Sequence, residues 1–326
     1  MTGNNSGVLT KDKNFGMLIN KVNLVIVEES QLGQRLDNFL MRFFRSVPRA
    51  HIYRLIRKGQ VRVDKKRCKP EYKLSVGEVV RVPPVRVSSS NIPDLGQSLK
   101  ETLLSSVLLE TDDCIVINKP SGLAVHLGTG VSLGLIEALR QVKPDWANSE
   151  LAHRLDRETS GCIIISKNNQ YLRFIQDKFR TQALRKEYIA VVHGDWLDSC
   201  VTVRAPLQKD KENSGQAIVR VNKNGKVAKT EFYIEKSYGY ASVIKAVPKT
   251  GRTHQIRVHC QYSGHGIVGD RKYTSKGYDD RLSKVSRLYL HSNAITFPST
   301  LEGDNIRITA PMDEPFSDLL KRLSEA

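Results

Sequence analysis

The chain has 326 residues, enough for two domains with sizeable cores, and its 51 Lys and Arg against 34 Asp and Glu leave a formal charge of +17. Such an excess points to a polyanionic partner. With no run of eighteen apolar residues and no apolar core near the N-terminus, the sequence predicts neither a membrane span nor a secretory signal.

Five cysteines, at positions 68, 114, 162, 200 and 260, include no Cys-x-x-Cys pair. This argues against a zinc ribbon or a disulfide framework and for reduced thiols in the cytoplasm. Residues 1–32 are expected to form a flexible N-terminal extension. Residues 33–86 hold 15 Lys and Arg against 4 Asp and Glu, so 11 of the 17 net charges fall in this one stretch. Leu36, Phe39, Leu40 and Phe43 recur at helical spacing. A second helix follows Pro48, with Ile52, Leu55 and Ile56 as its apolar stripe and Gly59 as its stop. Arg54, Arg57 and Lys58 fall on the opposite face and are candidate RNA-phosphate contacts, since a merely soluble face would mix both signs. Short strands are expected at 60–63 and 78–82, on either side of a charged turn. Two short helices followed by a small sheet resemble the S4-type RNA-binding domain, assigned here to residues 33–83. Pro83-Pro84 and the polar stretch behind them predict a linker over 84–100.

From residue 101 to 326 the pattern predicts a larger α+β domain. Strand-like runs fall at 114–117, 162–166, 188–192, 217–221, 241–247, 287–290 and 305–309. Leu135–Leu139 and the set Leu172, Ile175 and Phe179 mark helices, and a terminal helix is expected from Ser317, a plausible N-cap, to Leu323. The irregular alternation argues for a mixed, mostly antiparallel sheet over a doubly wound parallel one.

Within this domain His153-Arg154-Leu155-Asp156-Arg157-Glu158-Thr159-Ser160-Gly161 sets one carboxylate between two arginines, just ahead of a buried-strand pattern. Arg154 and Arg157 would favour the ionised form of Asp156 and pull its pKa down. Such a carboxylate in a cleft can attack carbon or hold a cation; in isolation it reads as part of a structural salt-bridge cluster. The order His-Arg-Leu-Asp-x-x-Thr-Ser-Gly resembles the signature of the RluA family of pseudouridine synthases. Asn118-Lys119-Pro120-Ser121-Gly122-Leu123-Ala124-Val125-His126, Lys186-Glu187-Tyr188 and Gly251-Arg252-Thr253-His254-Gln255-Ile256-Arg257-Val258-His259 resemble that family's other motifs, in the expected order.

The resemblance spans roughly residues 33–315 and implies the pseudouridine synthase fold, a bent sheet with the active site in a central cleft. It implies Asp156 as the catalytic residue, Tyr188 as the ring that stacks on the flipped base, Arg257 as the partner of Asp156, Arg154 as an aid to flipping and Leu290 as a wall of the base pocket. Its implied partner is 23S ribosomal RNA or a large-subunit assembly intermediate, with several separated uridines modified by a monomer. No cofactor is expected, because the isomerisation gains and loses no atom. One departure stands out: Gly269-Asp270-Arg271-Lys272-Tyr273-Thr274 ends in Thr where the family often has Gly, which puts that loop's conformation in doubt.

Other motifs carry less. The glycines of Gly128–Gly134 have the wrong spacing for a dinucleotide loop, and no kinase glycine loop or Asp-Phe-Gly accompanies His-Arg-Leu-Asp. His254 and His259, five apart, suit hydrogen bonds to backbone or RNA better than a metal, and no metal site is expected. Two rival functions remain, a non-catalytic S4-type ribosome-assembly factor and a base-excising glycosidase.

Overall fold

The computed structural model describes all residues except 1–7, 10–21, 45–46, 48, 86–94, 128–132, 197–199, 212–216, 275–279, 283–284, 286 and 326. It divides into two compact units, residues 1–92 and 93–326.

In the first unit, helices α1 (Leu36–Phe43) and α2 (Arg49–Arg57) bury Leu36, Phe39, Leu40, Ile52, Leu55 and Ile56 in a common core. Asp37, fully buried, accepts from Arg35 and from the Tyr53 hydroxyl at 2.7 Å and so ties the two helices together. Gly59 ends α2 at φ +67°: its N–H reaches the Ile56 carbonyl and that of Gln60 reaches Leu55, at 2.9 and 3.1 Å. This paired ending favours glycine. The sheet has the order β1 (Val8–Leu9), β2 (Asn23–Ile26), β4 (Val79–Val82), β3 (Arg62–Val63), with only β1 and β2 parallel. Residues 23–26 are therefore ladder, not part of a flexible extension, and the unit reaches further upstream than residue 33. Pro48 lies outside the described residues.

The second unit opens with α3 (Gln97–Ser105), so the end of the expected linker is helix. There follow β5 (Val107–Glu110), β6 (Cys114–Lys119), α4 (Leu135–Val142), β7 (Glu150–Leu151), β8 (Ser160–Ser166), α5 (Asn169–Arg180), β9 (Arg185–His193), β10 (Cys200–Val203), β11 (Leu207–Lys211), β12 (Ala217–Val221), β13 (Thr230–Ser237), β14 (Ala241–Pro248), α6 (Gln255–Tyr262), β15 (Leu290–Pro298), β16 (Asn305–Thr309) and α7 (Glu314–Glu325). The main sheet runs β10-β13-β14-β9-β15-β8-β6-β5, with β16 on β15 and β7 on β8. Only β15 and β8 pair in parallel; the rest is antiparallel, giving the mixed α+β architecture.

The run Cys162-Ile163-Ile164-Ile165 is apolar throughout because both faces of β8 are covered. Ile163 and Ile165 share a core with Leu135 and Leu139 of α4, while Cys162 and Ile164 pack with Tyr171 and Ile175 of α5. Gly161, opposite Ser292 in the parallel pair, has φ +104°, and a Cβ there would stand 2.3 Å from the Ser292 carbonyl oxygen.

Residues 287–289 are not strand: β15 starts at Leu290, and Arg287 instead pairs with Asp313 and donates to Ser160 Oγ at 2.9 Å. The terminal helix starts at Glu314 rather than at Ser317. Asp313 supplies the N-terminal acceptors, its carbonyl for Ser317 N–H at 3.0 Å and its carboxylate for Phe316 N–H at 3.2 Å. Among the described residues no helix is long and apolar enough to cross a membrane.

Candidate active site

Asp156 sits on the loop that leads into β8, and side chains alternate along it. Arg154 and Arg157 are exposed, Leu155 is buried in the core, and Asp156 faces a cleft of about 600 Å³. The first motif pins this loop from behind. Lys119, fully buried, donates to the carbonyls of Pro120, Leu123 and Arg157 at 2.8, 2.9 and 3.0 Å. Burial pulls its pKa down to about 7. Three carbonyl acceptors nevertheless match the three donors of the ammonium, where a neutral amine has only two. Ser121 Oγ adds a bond to the Glu158 carbonyl (2.7 Å), and Gly122 N–H one to that of Arg157 (2.9 Å).

The guanidinium that meets Asp156 is not one of its sequence neighbours. Arg157 turns away to the Gly122 carbonyl at 2.9 Å, and Arg154 makes no ion pair among the described residues. Instead Arg257 Nη1, from α6, donates to Asp156 Oδ2 at 3.1 Å. The other edge of Arg257 is gripped by Asp270, with Nε to Oδ2 and Nη2 to Oδ1 both at 2.8 Å. Asp270 is 2% exposed and also accepts from the backbone N–H groups of Lys272 and Tyr273. Asp270 and Tyr273 were assigned no role from sequence, although the Gly-Asp-x-x-Tyr element that carries them was visible. Thr274 fits that loop at negative φ, its hydroxyl bonding the Ile267 carbonyl at 2.9 Å, so the departure from Gly is accommodated.

His254 precedes α6 in the left-handed region, at φ 52°. Its Nδ1 lies 2.6 Å from the Tyr273 hydroxyl, which itself accepts from Val219 N–H at 3.0 Å. Burial lowers the His254 pKa to about 4. The ring is therefore neutral at physiological pH. The tyrosine proton fits on Nδ1, which leaves Nε2–H turned towards Asp156 Oδ1 at 3.8 Å, beyond hydrogen-bond range. His259 is a core residue, bonded to Thr230 Oγ1 and the Ala205 carbonyl at 2.9 and 3.0 Å. Oδ1 of Asp156 makes no hydrogen bond among the described residues.

Tyr188 of β9 and Leu290 of β15 line the same cleft, as does Arg154. The Tyr188 hydroxyl lies near Ser292, and burial pushes its pKa up to about 12. It stays protonated. Thus Arg154, Asp156, Tyr188, Arg257 and Leu290, separated by up to 136 positions in sequence, meet in one place. Arg54, Arg57 and Lys58 are exposed on the first unit, clear of its core.

An oriented carboxylate with one free oxygen, in a cleft with an aromatic wall and several cations, on a chain that also carries a compact basic unit, defines an enzyme that acts on a residue of a polyanionic chain. Residues 113–262 match the RNA pseudouridylate synthase family, and residues 34–80 match the S4 domain. Ribosomal large subunit pseudouridine synthase C of Pasteurella multocida is 44% identical over 97% of this chain and 98% of its own. The protein of the same name from Escherichia coli K12 is 43% identical over 94% and 98%. Among solved structures, human RNA pseudouridylate synthase domain containing 4 superposes with a TM-score of 0.59 at 25% identity, over 70% of this chain and 96% of its own. The chain belongs to the RluA family of RNA pseudouridine synthases.

Proposed function

We propose that this protein isomerises specific uridines of 23S ribosomal RNA to pseudouridine, with Asp156 as the catalytic carboxylate acting on a flipped-out base. The observation that carries this reading is the state of Asp156 on a cleft of about 600 Å³, with Oδ2 fixed by Arg257 and Oδ1 without a hydrogen bond among the described residues. The substrate follows from relatives that are named for the large ribosomal subunit and match nearly the whole chain.

The reaction breaks the bond from ribose C1′ to base N1, turns the base and rejoins it through C5. No atom or electron is exchanged with a co-reactant. Asp156 can serve by attack on C1′, by removing the C2′ proton or by addition to C6. Each route uses an ionised oxygen without a competing hydrogen bond, which Oδ1 supplies. Taking the uridine out of its stack costs a few kcal/mol, and stacking on Tyr188 returns roughly 1–3 kcal/mol. Leu290 closes the base pocket and Arg154, without an ion pair among the described residues, fills the position the base leaves. Arg54, Arg57 and Lys58 meet RNA phosphates, which position the chain without reading sequence. We assign the basic RNA-binding domain to the first unit and the synthase domain to the second, acting together as a monomer in the cytoplasm.

The test is a map of pseudouridine across ribosomal RNA from cells lacking the protein and cells regaining it. A defined set of 23S sites should lose pseudouridine and recover it with the wild-type protein. An unchanged map supports the assembly-factor alternative, and release of free uracil supports a glycosidase.

A further inference from the structure

Five cations besides Arg257 line the cleft, and four are held or solvated. Lys249 Nζ lies 2.8 Å from Glu231, Arg180 pairs with Asp177, Arg252 Nε donates to the Val227 carbonyl at 3.0 Å, and Arg154 is exposed. Lys186 is different. Among the described residues its ammonium has no acidic side chain within ion-pair distance and no hydrogen-bond acceptor. Nζ stands over the Phe179 ring, 5.9 Å from its centroid, and near Gly251, where an added side chain would begin 4.0 Å from it. Nearby His153 is neutral, since its Nε2 accepts the Ile164 N–H at 3.0 Å. Burial draws the lysine's own pKa down to about 8, so most of it is still charged near neutrality.

A half-buried ammonium without a counter-charge costs some stability, and a hydrocarbon of similar length would cost less. An arriving anion would supply the counter-charge that the described side chains do not. Strand alternation sets Lys186 on the same face of β9 as Tyr188, about 7 Å along. Glu187 between them takes the other face, where Arg185 and Arg307 hold it.

We propose that Lys186 is the binding site for the phosphodiester of the target nucleotide. With the uridine base on Tyr188, the phosphate on its 5′ side reaches the ammonium two positions away, and a lysine suits this task as a point charge. The inference rests on the uridine-isomerising reading above. Phe179 and Gly251 shape the space beside Nζ and keep acidic groups out of it.

The test uses the full-length protein, with Lys186→Met and Lys186→Arg, and an RNA fragment carrying one mapped target uridine. A second fragment has a neutral methylphosphonate in place of the phosphodiester 5′ to that uridine. Lys186→Met should unfold at or above the wild-type temperature and bind the native fragment about tenfold more weakly. Its plot of log K against log salt should be shallower by about 0.7. The neutral linkage should weaken the wild type by a similar factor and leave Lys186→Met unchanged, while Lys186→Arg keeps most of the affinity. The proposal is overturned if the neutral linkage weakens both proteins equally, if the salt slope does not move, or if Lys186→Met loses turnover with binding intact. Should Lys186→Met not fold, amine-reactive labelling of the wild type decides: protection of Lys186 by the native fragment alone supports the site, and equal protection by both fragments overturns it. A wild-type protein that forms no pseudouridine in the native fragment sinks the underlying reading instead.

Discussion

Asp270 grips Arg257 through two parallel bonds of 2.8 Å each, and this aims the remaining Nη1 at Asp156, 101 positions away in sequence. Bidentate pairs of this kind fix geometry as well as charge. Asp270→Asn keeps the shape but loses one acceptor and the charge, which frees the guanidinium to swing. Turnover should fall by roughly 10–100-fold, the scale of misplacing a catalytic group by about 1 Å. RNA affinity should change little. Single-turnover kinetics with wild-type rates would show that Asp270 does not position Arg257.

Tyr188 lines the cleft, and burial keeps its hydroxyl protonated. If stacking is its role, Tyr188→Phe keeps most of the activity, whereas Tyr188→Ala loses about 1–3 kcal/mol of interaction with the flipped base. Comparing the two variants at saturating RNA separates ring from hydroxyl. Equal losses would assign the work to the hydroxyl.

Lys119 closes three carbonyls behind the Asp156 loop. Lys119→Met takes the side-chain donor from the Pro120 and Leu123 carbonyls, while that of Arg157 keeps the Gly122 N–H, at a cost of about 2 kcal/mol. Thermal unfolding should move down accordingly, and turnover should drop as the loop loosens. An unchanged melting temperature would contradict the bracing role.

Arg54, Arg57 and Lys58 are exposed on the first unit. Replacing all three with Ala should weaken RNA binding and flatten the plot of log K against log salt by up to about 0.7–0.9 per lost contact. Turnover at saturating RNA should suffer far less. An unchanged slope would mean that this face is merely solvated, and a collapsed rate would mean that the basic unit also shapes the active complex.

Much of the fold was legible wherever one periodicity dominates. Leu36, Phe39, Leu40 and Phe43 are one buried helix face, and the isoleucines of β8 are core on both sides. The helix Gln255–Tyr262 was not legible, because Gln-Ile-Arg-Val-His-Cys alternates like a strand. All six residues are buried all the same, since each polar side chain finds internal partners: Gln255 at Thr230, Arg257 at Asp270 and His259 at Thr230. Within the candidate site the motifs led to Asp156, Tyr188 and Arg257, but local sequence misassigned the charge beside Asp156. Arg154 and Arg157 flank Asp156 along the chain, yet among the described residues neither pairs with it, and only the fold brings Arg257 in. Strand β2 was missed because four residues ahead of a basic helix carry too little pattern to separate ladder from tail.

The central claim is that the free oxygen of Asp156 does the chemistry, and Asp156→Asn tests it most directly. The substitution keeps size and fold and removes the charge that Arg257 holds in line. Pseudouridine formation by the purified variant on a 23S ribosomal RNA fragment should be abolished, with RNA affinity near that of the wild type. Substantial residual turnover under the same conditions would contradict the assignment of Asp156 as the catalytic carboxylate.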